Sequence, residues 1–416
     1  MACGRAACTN GFAPEFGACD ADHVCRTAPA PLGESAAAGD WFVVFEDDDV
    51  GSGALVGASV TRTATMTFTA AGTVILDDRA STWPDDTYPE WTNGTPFCQT
   101  WDGRLNFGTL ASTWFSGAVA SDGQVLVAAD RDTQTALLGV RVPADDATAS
   151  VHGGYVVSDL APGADGHLRL LFGLVEFKFN QLTAAKLTDR ASGQLFELAD
   201  SSDAPTLACS NKRCSLALAL AGANGDARTL LWRGVVSGDG KVLLFAHASD
   251  PTDGNSSTVF GGHAMLLALS DGPPPALIAP WSGLSLRTAT GLPEDANPFG
   301  LVTLVAYLAD NNKLVALART SGLLGVEASA TGDFALATDQ DRSAMPYSDA
   351  LTLTTPAGVA TLAHRAAVSV GGSVLAGWEA SPAGAIGSAA AAVPSGHSSF
   401  VSVRLAAPRM LDGFVP

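Results

Sequence analysis

Gly117-Ala-Val-Ala-Ser-Asp122-Gly123-Gln-Val-Leu-Val-Ala128, Gly234-Val-Val-Ser-Gly-Asp239-Gly240-Lys-Val-Leu-Leu-Phe245 and Ala366-Ala-Val-Ser-Val-Gly371-Gly372-Ser-Val-Leu-Ala376 are three copies of one phrase. Each sets two short apolar runs around an Asp-Gly or Gly-Gly step. Such a step supplies the positive φ that a tight hairpin needs, so each copy predicts two antiparallel strands and their turn. The copies begin at 117, 234 and 366, spacings of domain size, and a 416-residue chain with this period reads as tandem units, not as one large enzyme domain.

Working outward, the same two-residue period recurs. Val60, Arg62, Ala64, Met66 and Phe68 alternate with five threonines, and Val175, Phe177 and Phe179 alternate with Glu176 and Lys178. Further hairpin signals stand at Asp102-Gly103, Asp165-Gly166, Asn224-Gly225 and Asn311-Asn312. Helical periodicity of any length is absent, which predicts an all-β, antiparallel protein whose sheet edges must be closed or covered. The boundaries divide it into a Cys-rich segment and linker over 1–33 and three β-barrel-like units over 34–145, 146–272 and 273–416. The last boundary is marked by Asp271-Gly-Pro-Pro-Pro-Ala276, where three prolines exclude regular structure. A β-propeller is the alternative architecture, although the spacing of candidate blades is irregular.

Charge narrows the partners. The chain carries a formal −19, and residues 34–145 hold 16 acidic against 5 basic side chains. Nucleic acid wants a basic face, so it is not expected. No apolar run approaches the roughly 18 residues that span a bilayer. Seven cysteines at 3, 8, 19, 25, 98, 209 and 214 include no Cys-x-x-Cys pair, so disulfides in an oxidising compartment are favoured over a metal site. Cys209 and Cys214 are expected to pair, because four residues between them can close a hairpin-like loop; the pairing of Cys8, Cys19, Cys25 and Cys98 stays open.

Two resemblances add to this reading. Met1-Ala2-Cys3-Gly4 resembles the end of a bacterial lipoprotein signal, which implies a lipid on Cys3 as the sole membrane attachment and an outer-membrane-anchored or secreted protein. Each unit opens on an aromatic after small residues (Gly39-Asp-Trp41, Gly153-Gly-Tyr155, Ala279-Pro-Trp281), and the first opening is similar to the Gly-x-Trp signature of lipocalins and related calycin barrels. That resemblance, spanning roughly residues 39–405, implies a small up-and-down barrel per unit. It also implies a base plugged by an aromatic beneath an Arg of the last strand, which assigns Arg141 to Trp41 and Arg404 to Trp281. In the middle unit Tyr155 stands in place of the opening Trp and the last strand, Ala264 to Leu269, has no Arg, so its base should close differently. Units closed in this way should fold separately, leaving the second and third intact if Trp41 is lost.

No motif carries an obvious chemistry. The seven histidines are scattered, with no ligand spacing, and are expected at surfaces and rims. Gly396-His-Ser-Ser-Phe400 lacks the second glycine of a nucleophile elbow, which leaves Ser398 without a catalytic assignment. Asp339 and Asp341 would suit glycoside hydrolysis only across a suitable cleft. The acidic stretches 46–53 and 250–257 offer oxygen ligands without the EF-hand register, and are read as solvated turns. No cofactor and no metal are expected. The one stretch that suggests a ligand is Trp83-Pro-Asp85-Asp86-Thr-Tyr88-Pro-Glu90-Trp91, in which flat rings beside carboxylates suit a sugar or a cationic group. The expectation is a non-enzymatic, extracytoplasmic binding or adhesion module for a small molecule, glycan or surface protein. A structural spacer and an extracytoplasmic hydrolase on a propeller are the alternatives; the oligomeric state is left undetermined.

Overall fold

The computed structural model describes residues 37–48, 59–81, 94–99, 103–109, 112–130, 135–144, 150–162, 168–190, 192–200, 204–248, 259–269, 280–289, 299–308, 313–322, 327–336, 347–355, 358–379 and 396–406. Cys3, Cys8, Cys19, Cys25, the 83–91 loop, Asp339 and Asp341 lie outside them. Twenty-five strands and no helix make up these residues.

The first eight strands are β1 (Gly39–Asp48), β2 (Ser59–Phe68), β3 (Thr73–Ser81), β4 (Thr95–Gln99), β5 (Arg104–Thr109), β6 (Ser112–Val119), β7 (Val125–Asp130) and β8 (Thr135–Arg141). Each pairs antiparallel with the next and β8 returns to β1, closing a barrel. The middle sheet holds β9 (Gly153–Pro162), β10 (Leu168–Lys178), β11 (Gln181–Asp189), β12 (Leu195–Leu198), β13 (Ala208–Ser210), β14 (Arg213–Gly222), β15 (Ala227–Val236), β16 (Val242–Ala248) and β17 (Val259–Ala268). Here β9 pairs with both β10 and β17, and β12 with both β11 and β14, which brings the nine-stranded sheet round on itself with β13 set outside as a partner of β14. The last strands, β18 (Pro280–Ala289), β19 (Phe299–Leu308), β20 (Lys313–Gly322), β21 (Glu327–Leu336), β22 (Tyr347–Thr355), β23 (Gly358–Val368), β24 (Val374–Glu379) and β25 (Gly396–Arg404), form a second closed barrel. Closure removes free edges. The blade alternative therefore gives way to barrels built as meanders.

The repeated phrase forms the same hairpin three times. Gly123, Gly240 and Gly372 have φ of 72°, 74° and 69°. The bond Ala120 N–H to Val125 O recurs as Ser237 to Val242 and Ser369 to Val374, each 2.8 Å. One strand pair per copy contains a glycine at equivalent height: Gly117 opposite Ala128, Gly234 opposite Phe245, and Ala366 opposite Gly377. A Cβ at any of the three glycines would strike the partner strand's backbone: the Val127, Leu244 or Arg365 carbonyl. The third copy thus keeps the glycine and moves it to the other strand.

Period-two alternation sorts side chains between two kinds of core. One side of β1, β2 and their neighbours faces into the first barrel, where Trp41, Val43, Met66, Phe68, Leu105 and Phe107 pack together. The concave side of the middle sheet encloses Tyr155, Val175, Phe177, Phe196, Trp232 and Phe245. The opposite faces do not meet water as expected of separate units. Phe42, Val44 and Leu138 of the first barrel, Val156, Leu244 and Met265 of the middle sheet, and Val374, Trp378 and Val401 of the last barrel belong to one shared cluster. This core runs against the expectation that each unit folds alone, since stripping one unit away exposes apolar faces of the others.

All three pairs of units also share specific contacts. Ser121 N–H donates to Arg404 O at 2.8 Å and the Ser373 hydroxyl to Asp122. The Ser158 hydroxyl donates to Gly377 O at 3.1 Å, and Phe172 stacks on Trp378 with centroids 3.9 Å apart. Arg213 Nη2 donates to Thr65 Oγ1 at 2.6 Å.

Candidate functional site

Three features carry polar chemistry. The first is the aromatic residue that opens each unit. Trp41 and Arg141 are directly paired across β1 and β8, and the guanidinium carbon lies 4.7 Å from the indole ring centroid. Arg141 Nε donates to Gly123 O at 2.7 Å and Nη1 to Ala38 O at 2.6 Å, while Trp41 Nε1 donates to Ala37 O at 2.7 Å. Burial disfavours the charge and lowers the Arg141 pKa, and the ring face and carbonyls offset that cost. Gly39, at φ 119°, is required here, since a Cβ would lie 2.9 Å from Arg141 Nη1. In the middle sheet the Tyr155 hydroxyl donates to Gly240 O at 2.7 Å. It thereby takes the carbonyl that corresponds to Gly123 O, and burial with nearby Asp239 pushes its pKa up to about 12. Trp281 and Arg404 are paired in register across β18 and β25.

The second feature is two buried histidine–carboxylate pairs. His247 Nε2 lies 2.5 Å from Asp159 Oδ1. His263 Nδ1, on β17, lies 2.9 Å from Glu46 Oε1, on β1, so this pair joins the middle sheet to the first barrel. The Thr61 hydroxyl donates to Glu46 Oε2 at 2.8 Å and accepts from Gly262 N at 2.5 Å. Both histidines and both carboxylates are under 4% exposed. The reading of every histidine as a surface group, and of Glu46 as part of a solvated turn, is corrected accordingly. The partners stand 88 and 217 residues apart, and nothing local marks them.

The third feature is a cleft of about 610 Å³ where the first barrel meets the middle sheet. Phe42, Thr63, Asp78 and Ala80 form one wall; Ala208, Ser210, Arg213, Ser215, Arg233 and Ala246–Ala248 form the other, with the Cys209–Cys214 disulfide beside them. That disulfide joins residues directly paired across β13 and β14. The hairpin can turn so tightly because Asn211 and Lys212 both adopt positive φ, 48° and 62°. It carries Arg213 into the cleft, where the guanidinium carbon sits 4.6 Å from the Phe42 ring centroid. Burial lowers the Arg213 pKa, and the negative charge of Asp78 works against that shift. Sequence reasoning did not single out Arg213, since the wall opposite it comes from residues some 150 positions earlier.

Among the described residues no group of three His, Cys, Asp or Glu side chains is placed to hold a metal ion. No helix among them is long and apolar enough to cross a membrane.

No family model matches the chain, and no curated protein matches it. Similar solved structures include intact Ap-TbpB with its N and C lobes, at TM-score 0.29 and 8% identity over 88% of this chain and 76% of that one. A porin-like protein from Bacteroides uniformis is similar at TM-score 0.17 and 8% identity, over 88% of this chain and 97% of that one. Neither likeness carries a function over.

Proposed function

We propose that the chain is a non-enzymatic, extracytoplasmic binding protein, held to the membrane by a lipid on Cys3, that takes a small ligand in the cleft between its first barrel and middle sheet. One observation carries the choice of site: large side chains fill the first barrel and the concave side of the middle sheet, whereas the inter-unit cleft has the volume of a small-molecule site. The Cys209–Cys214 disulfide supports the compartment. The 83–91 loop, with Trp83, Asp85, Asp86, Tyr88, Glu90 and Trp91, is proposed as a second contact surface for a glycan or a surface protein.

The filled interiors also favour a spacer, which would need no ligand. A thermal-shift screen of small molecules against the full chain and an Ala208→Trp variant, whose indole would occupy the cleft, separates the two. Binding predicts compounds that raise the melting temperature of the parent and lose that effect in the variant. Compounds acting equally on both, or none acting, would favour the spacer. Mass spectrometry of membrane-extracted protein tests the lipid, with Cys3→Ser expected to release the protein.

A further inference from the structure

We infer that the cleft is selective for a small amphipathic anion: an apolar body with one carboxylate or sulfate head, received by Arg213. This rests on the cleft being the binding site, and adds the chemistry of what enters it. Three observations support it.

Arg213 is held in advance of any ligand. The Phe42 face lies against its guanidinium and Nη2 donates to Thr65 Oγ1, so little rotamer freedom is left to lose on binding. Its charge is also incompletely answered. Among the described residues the ion-pair partner is Asp78, whose Oδ2 stands 4.0 Å from Nη2, is 77% exposed, and accepts the Thr65 hydroxyl at 3.1 Å. Nη1 is buried and has no hydrogen-bond partner. A guanidinium does not shed its proton in such a position, so an anion at its exposed edge would lower its energy. Finally, the remaining lining is divided. Phe42, Ala80, Ala208, Ala246 and Ala248 supply the apolar part of the lining for a hydrocarbon body, and Thr63, Ser210 and Ser215 are its hydroxyl-bearing residues. A cationic ligand would meet Arg213 and Arg233 and gain only Asp78.

Isothermal titration of the full chain with octanoate, octyl sulfate, octanol and octylammonium, below micelle-forming concentrations, tests this directly. The two anions are expected to bind at least about 10-fold more tightly than the alcohol, with no measurable binding of the ammonium. Arg213→Gln should cost the anions about 10–100-fold and leave the alcohol unchanged. Arg213→Lys, which keeps the charge, should restore part of the preference. Ala208→Trp should abolish binding of both anions and of the alcohol. Circular dichroism and melting confirm that each variant is folded; should Arg213→Gln not fold, the ranking of the four probes and the Lys variant decide. If alcohol and anions bind alike, or the Arg213 variants leave the ranking unchanged, the anion selectivity is overturned and the cleft stands. If no probe binds, or Ala208→Trp binds as the parent does, the anion site and the cleft reading fall together.

Discussion

A glycine in the repeated phrase does two separate jobs, and they fail differently. Gly123, Gly240 and Gly372 turn the chain at positive φ, whereas Gly117 lets two strands close to within a distance that any side chain would block. Gly117→Ala should destabilise the protein by about 1–3 kcal/mol, because the Val127 backbone has to retreat; urea unfolding measures this. Asp239 adds a charge effect to the same turn. Burial raises its pKa, but the Ser237 hydroxyl, the Lys241 amide and the Lys241 ammonium outweigh this and hold it below the ordinary value of 3.8. A depressed carboxyl contributes stability above its unfolded pKa and loses it as pH falls through the folded value. Asp239→Asn should therefore cost less than about 1 kcal/mol at neutral pH, the side chain being partly exposed. The gap between the two proteins should close as the pH is taken below 3.8.

Elements are where legibility in the sequence divides. β2, β7 and β16 are readable because alternation or an apolar run meets a turn residue that has few conformational choices. The alternation through Val175 and Phe177 ends one step sooner than it reads: Phe179 sits at φ 50° in the β10–β11 turn, 71% exposed and stacked on His152. A hairpin with Phe179-Asn180 at its tip carries no Gly to announce it. What binds one element to another was not readable, because His263 and Glu46 stand 217 residues apart on different sheets. That pair offers a test at this scale. Removing one partner leaves the other buried without its hydrogen bond, so Glu46→Leu and His263→Leu should each cost about 3–5 kcal/mol. The double variant should recover most of the loss, and a thermodynamic cycle gives the coupling.

At the scale of the whole molecule the shared core decides cooperativity. Faces of all three units contribute to it, so calorimetry should show one unfolding transition with matching calorimetric and van't Hoff enthalpies. Trp41→Ala, at about 3–5 kcal/mol, should move that single transition and not detach the first barrel from it. Three resolved transitions, two of them indifferent to Trp41, would show that the shared core does not couple the units. The tandem phrase marked the hairpin that recurs in all three sheets; how the sheets pack together was not legible, because an apolar residue on a strand does not say which of two cores it enters.

Each unit touches both of the others, which changes what the covalent chain is for once folding is complete. In a string of beads, cutting a linker sets the pieces adrift; in a ring of mutual contacts the pieces remain neighbours, and the linker only raises their effective concentration. Two polypeptides, 1–271 and 272–416, expressed together should then copurify as one particle with the stoichiometry of the parent. Native mass spectrometry of that split protein would measure how far the assembly holds itself together by non-covalent contacts alone.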